Sequence, residues 1–146
     1  MEQYEREHLG ALRRIAPECM VLLKSNGDFP LAAPQKIALY GNGARHTLKG
    51  GRGSGDVNVE YFPSVEQGLE NAGCIVTTKA WLDAYEAAYE AGKNPFQTWL
   101  REKIAAEGMD RLMENLSIVM PEPDYDIPLD GEGDTAIYVL ARQCGE

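Results

Sequence analysis

Lys36-Ile37-Ala38-Leu39-Tyr40, followed at once by Gly41-Asn42-Gly43, decides the fold. A continuous apolar run of this length, without polar alternation, is the signature of a strand buried on both faces, as in parallel sheets. Residues 41–58 then carry six glycines (Gly41, Gly43, Gly50, Gly51, Gly53 and Gly55) and no apolar periodicity, which predicts an irregular loop. Beyond it, Ser64 with Gln67 three positions on forms a capping box, Val65 and Leu69 share a face, and Gly73 suits a helix end, so a short helix is predicted over 64–72. Cys74-Ile75-Val76-Thr77-Thr78 is β-branched and gives a second strand.

Trp81, Tyr85 and Tyr89 recur every four residues up to Gly92 and define a third helix; at this spacing they read as packing residues rather than a ligand box. Asn94-Pro95 is a start signal, and Phe96, Trp99, Leu100, Ile104 and Leu112 continue a helical face, so a fourth helix is expected to about residue 115. Residues 121–134 mix three prolines with acidic side chains and read as a solvated linker. Thr135-Ala136-Ile137-Tyr138-Val139-Leu140-Ala141 restores a strand. At the other end, residues 2–24 are helical in pattern with a break or kink at Pro17.

Strands alternating with helices imply right-handed crossovers and a parallel sheet covered on both faces: an α/β, three-layer sandwich of flavodoxin-like type. Three strands are few for such a sheet, so an incomplete domain spanning residues 1–146 is expected. The length of 146 residues, 44% of them apolar, fits one domain with its own core.

A formal charge of -9 disfavours a nucleic-acid backbone and an anionic membrane, because such binding rests on Lys and Arg contacts. Cys19, Cys74 and Cys144 are odd in number and widely spaced, which suits three reduced thiols in a cytoplasmic protein. Neither a secretory leader nor a membrane span is legible.

In open α/β sheets ligands bind beyond the carboxyl ends of the strands, so residues 41–58, Thr78-Lys79 and residues 143–146 are expected on one edge. Gly41-Asn42-Gly43-Ala44-Arg45-His46 lacks the third glycine of a dinucleotide fingerprint, and Lys49 follows Leu48 rather than the glycine of a Walker loop. No nucleotide cofactor is expected. The density of donors and acceptors from His46 to Asn58, at positions where glycine admits close backbone approach, fits a hydroxyl-rich ligand. Asp56 is equally suited to capping a turn. His8 and His46 form no local metal pair, and Pro128 with Leu129 interrupts any calcium-loop pattern, so no metal is expected.

Three stretches in order resemble the glycoside hydrolase family 3 enzymes, β-glucosidases and their relatives, in their α/β sandwich domain. Val21-Leu22-Leu23-Lys24-Ser25-Asn26-Gly27-Asp28-Phe29-Pro30-Leu31 resembles the entry to that domain. Lys49-Gly50-Gly51-Arg52-Gly53-Ser54-Gly55-Asp56-Val57 resembles its loop after the first strand, and Asp134 to Arg142 with Gly145-Glu146 resembles its later strand and acidic motif. Cys144 departs from the small polar residue usual there, and Pro17 stands where relatives continue a helix.

The resemblance implies a retaining hydrolysis of a β-glucoside or oligosaccharide, with Glu146 as acid/base and Gly53, Ser54 and Asp56 on a loop near the sugar. The nucleophilic Asp would belong to a (β/α)₈ barrel domain of the same protein. It implies further that this chain is an N-terminal piece of the type in which the sandwich precedes the barrel, inactive by itself. A non-catalytic flavodoxin-like binding module is the alternative.

Overall fold

The computed structural model describes residues 2–50, 57–59, 61–109 and 120–142. Two compact units divide the chain, Met1–Ala33 and Pro34–Glu146.

In the first unit, helix α1 (Gln3–Ile15) gives way to a 3₁₀ turn, Ala16–Cys19. The change falls where expected, because Pro17 has no amide to continue an α-helix but is tolerated in the first turn of a new one. A side-chain-braced turn follows, in which Ser25 Oγ accepts from Gly27 N at 3.0 Å and donates to Phe29 O at 2.5 Å.

The second unit is α/β. Its elements are β1 (Lys36–Tyr40), α2 (Val65–Asn71), β2 (Ile75–Val76), α3 (Lys79–Glu107) and β3 (Thr135–Tyr138). The sheet order is β2-β1-β3, and both pairings are parallel. This is the opening of a flavodoxin-like order, with its switch point between β1 and β3. Consecutive strand residues point to opposite faces, and Ile37, Ala38, Leu39 and Tyr40 are all buried, so β1 is covered on both sides.

The capping box forms as read: Gln67 N donates to Ser64 Oγ at 3.2 Å, and Ser64 N to Gln67 Oε1 at 3.0 Å. Gly73 closes the turn after α2 at φ +89°, a conformation open to glycine. The second strand is shorter than expected because, although Thr77 N still bonds Ile37 O at 3.0 Å, the Thr78 carbonyl turns to Leu82 N of α3 and only the Thr78 side chain reaches β1. Thr78 Oγ1 accepts from Leu39 N at 2.8 Å and donates to Leu39 O at 2.6 Å, replacing one rung of the ladder.

Two readings from sequence are corrected. The expected break at Asn94-Pro95 does not occur, and α3 runs through Pro95 as one helix of 29 residues. Proline removes the amide that would bond Ala91 O, but Ala91 is exposed, so water can satisfy that carbonyl. Phe96 stacks on Trp99 at 5.7 Å, and Lys103 Nζ lies 5.1 Å from the Trp99 ring centre, carrying side-chain contacts past the proline. The helix ends at Gly108, and Leu112 lies outside the described residues.

The described part of the supposed solvated linker, residues 120–134, is an anchored strap without regular structure. A Cβ on Gly92 would stand 3.4 Å from Met120 Cε and 3.7 Å from Pro123 Cβ, so the helix glycine admits the strap. Further on, Tyr125 meets Trp81 and Tyr85 edge-on at 6.0 and 5.2 Å, and Trp81 Nε1 donates to Ile127 O at 3.3 Å. Gly131 N donates to the Tyr40 hydroxyl at 2.8 Å, and Thr77 Oγ1 to Glu132 O. The prolines forbid helix and strand, and aromatic burial against α3 supplies the order that charge patterning hid. Trp81 and Tyr85, read as packing residues, are indeed buried.

Candidate functional site

At the carboxyl end of β1 the chain turns through Gly41, whose φ of +94° and crowding by Val139 O and the Tyr138 ring leave no room for a side chain. Asn42 follows and locks onto the exit of β3. Its Nδ2 donates to Ala141 O at 3.1 Å, and its Oδ1 accepts from Ala141 N at 2.8 Å. Gly43 N donates to Val139 O at 3.1 Å, and Val139 N to Tyr40 O at 2.9 Å, so the ladder continues past both strands. The expected convergence of the post-β1 loop with the exit of β3 is therefore present in the described residues 41–50 and 139–142.

The next turn is pinned to two helices. Arg45 reaches Glu66 of α2 through Nε–Oε2 at 2.7 Å and a second bond at 3.3 Å, and Asp83 of α3 at 2.7 Å. The bond to Glu66, set against partial burial, holds the guanidinium more firmly protonated than usual. Glu66 is buried and is further neutralised by Lys79 at 3.9 Å. His46 Nε2 lies 2.9 Å from Glu86 Oε2, and its ring lies against Tyr89 at 4.6 Å. Thr47 Oγ1 donates to Gly43 O at 2.7 Å and accepts from Val65 N at 3.0 Å. A preorganised frame thus supports the base of the glycine-rich loop.

Across β3 the strap closes a second wall. Glu122 accepts from the Tyr85 hydroxyl at 2.6 Å and from Asn42 Nδ2 at 3.4 Å. Burial, reinforced by that carboxylate, pushes the Tyr85 hydroxyl well above the ordinary tyrosine range, so it serves as a fixed donor. The Tyr125 and Tyr138 hydroxyls are 3.2 Å apart, which with partial burial pushes Tyr125 up to about 12.

Gly53, Ser54 and Asp56 of the loop, and Glu146 beyond β3, lie outside the described residues, as do Gly145 and Cys144. Sequence reading did not find the pairs Arg45–Glu66–Asp83, His46–Glu86 and Tyr85–Glu122. The only trace was their polarity inside otherwise apolar or glycine-rich stretches. Among the described residues no group of three or more His, Cys, Asp or Glu side chains could hold a metal ion. Nor is any described helix long and apolar enough to cross a membrane.

The chain is 38% identical over 65 residues to "Beta-glucosidase A" of Butyrivibrio fibrisolvens, covering 44% of this chain and 8% of that protein. It is 28% identical over an alignment of 167 residues to "Probable beta-glucosidase G" of Neosartorya fischeri, covering 94% of this chain and 18% of that protein. These weak likenesses to β-glucosidases indicate a glycoside hydrolase relationship, and the chain spans less than a fifth of the length of either relative. No family model matches the chain. No solved structure matches it.

Proposed function

We propose that the chain is the α/β sandwich part of a retaining, family 3-type β-glucosidase that releases terminal β-linked glucose. The observation that carries this reading is the pair of hydrogen bonds between the Asn42 side chain and the Ala141 backbone, which ties the start of the glycine-rich loop to the exit of β3. Loop residues Gly53, Ser54 and Asp56 and the carboxyl group of Glu146 follow directly from those two tethered segments in sequence.

In this reading Glu146 protonates the departing glycosidic oxygen and then, as carboxylate, takes a proton from the water that releases the sugar. Retention requires a second carboxyl group ~5–5.5 Å away to attack the anomeric carbon. A (β/α)₈ barrel supplies that Asp, and such a barrel takes ~250 residues, more than these 146 can hold. Ser54 offers a hydroxyl to the sugar, Gly53 lets the backbone come close, and Asp56 holds the loop's shape.

The test uses the longer polypeptide that includes the barrel. Glu146→Ala should slow hydrolysis of alkyl glucosides or disaccharides by ~10²–10⁴-fold, the usual worth of general acid catalysis. Glycosylation from an activated aryl glucoside, whose leaving group needs no proton, should suffer far less. Azide should restore turnover and give a β-glycosyl azide. Equal loss for every leaving group, with no azide product, moves the acid/base role elsewhere. The 146-residue chain alone should not turn over aryl β-glucosides.

A further inference from the structure

A cleft of about 540 Å³ opens at the β1/β3 switch point, between the exit of β3 and the strap. Clefts of ~300–1,000 Å³ are the size that small ligands occupy, and the switch point is where open α/β sheets bind them. Among the described residues its walls come from the exit of β3, within residues 138–142, and from Asn42, Met120, Glu122 and Tyr125.

Tyr125 and Tyr138 contribute two rings, Glu122 a carboxylate, Asn42 an amide and Arg142 a guanidinium. Tyr138 is 47% exposed and Leu140, also on the wall, 79%, so an apolar surface faces solvent where a strand ends. Glu122 and Arg142 balance in charge, which favours neither an anion nor a cation. A ligand with several neighbouring hydroxyls both donates to the carboxylate and accepts from the guanidinium, while its C–H face packs on a tyrosine ring.

We propose that this cleft binds a neutral pyranose unit of a saccharide, with Tyr138 as the ring platform and Glu122 and Arg142 as hydroxyl partners. The choice of saccharide over other polyols rests on the glycoside hydrolase reading, but occupancy of the cleft does not require catalysis by this chain.

The experiment is a titration of the ¹⁵N-labelled 146-residue chain with cellobiose, followed by amide shifts. Shifts are expected at Asn42, Tyr125 and residues 138–142, saturating in the millimolar range. Tyr138→Ala should weaken binding about tenfold, the scale of a lost ring contact, and Tyr138→Phe should stay within about threefold of the parent. Arg142→Gln alters an exposed side chain with no ion pair among the described residues, and should weaken binding severalfold without disturbing the fold. Tyr61→Ala, at an exposed tyrosine elsewhere, should change nothing.

Absence of cellobiose shifts, or shifts confined to residues 43–50 and unaffected by Tyr138→Phe, Tyr138→Ala and Arg142→Gln, would overturn the proposal. Tighter binding of glucuronate or inorganic phosphate than of cellobiose would overturn the neutral class. Hydrolysis by the barrel-containing polypeptide without cellobiose binding here removes this site and leaves the enzymatic reading standing. Binding here without hydrolysis supports the site and counts against that reading.

Discussion

Leu39 sits in the middle of the central strand with its backbone amide and carbonyl turned toward a neighbour that has already ended. The Thr78 hydroxyl meets both, at 2.8 and 2.6 Å, in a buried setting. Each buried backbone group left without a partner costs ~1–3 kcal/mol, so Thr78→Val should destabilise by about 2–4 kcal/mol in urea unfolding, and Thr78→Ser by less than about 1.5 kcal/mol. Equal losses for the two variants would show that the methyl group, not the hydroxyl, matters. From sequence, Thr78 was legible as a β-branched strand residue at the carboxyl edge of the sheet, but not as the partner of Leu39. Its true work depends on where β2 stops, and propensity does not carry that information. The Arg45–Glu66–Asp83 cluster was hidden for a related reason, since its members lie 21 and 38 positions apart and only the fold brings them together.

Local signals with a short-range mechanism were readable: the strand β1, the Ser64–Gln67 box and the Gly73 turn each depend on residues within a few positions. Pro95 and the strap were misread because their outcome is set by the fold around them, the exposure of the Ala91 carbonyl in one case and the distant α3 aromatics in the other. The strap's glycines reveal how close that packing is. A Cβ on Gly131 would run into Thr78 Cγ2 and come within 2.6 Å of the Tyr40 hydroxyl oxygen. Gly131→Ala should therefore destabilise by about 1–3 kcal/mol, the usual toll of overpacking. Gly68, inside α2 with nothing within 4 Å, is the opposite case. Gly68→Ala should stabilise by about 0.5–1 kcal/mol through helix propensity. Urea midpoints for the pair check both signs at once, and a neutral Gly131→Ala would mean that the strap stands off the sheet.

For the molecule as a whole, the α/β class and parallel order were legible, and so was the meeting of the post-β1 loop with the exit of β3. The chemistry of the walls was not, because Tyr125, Tyr138 and Glu122 meet only through the strap. Those walls also set an alkaline limit. Tyrosine in an unfolded chain titrates near ~10, whereas the Tyr138 hydrogen bond and burial raise Tyr125 to about 12 and burial raises Tyr85 further. Groups raised in the folded state contribute stability that is complete below the unfolded value and is lost as pH climbs toward the folded one. The urea midpoint should accordingly fall between about pH 10 and 12, and Tyr125→Phe should flatten that fall; an unchanged slope would remove the Tyr125–Tyr138 contact from the account. The sheet's wiring has a consequence for how it assembles. β1 meets Thr77 and Thr78 across 40 and 39 positions, but meets the start and exit of β3 across 98 and 99. Closing the longer loop costs more chain entropy before any contact rewards it, so β1, α2 and β2 are the natural nucleus. The edge where Asn42 meets the exit of β3 is then the last part of the body to exist during folding and the first to be lost when the chain begins to open.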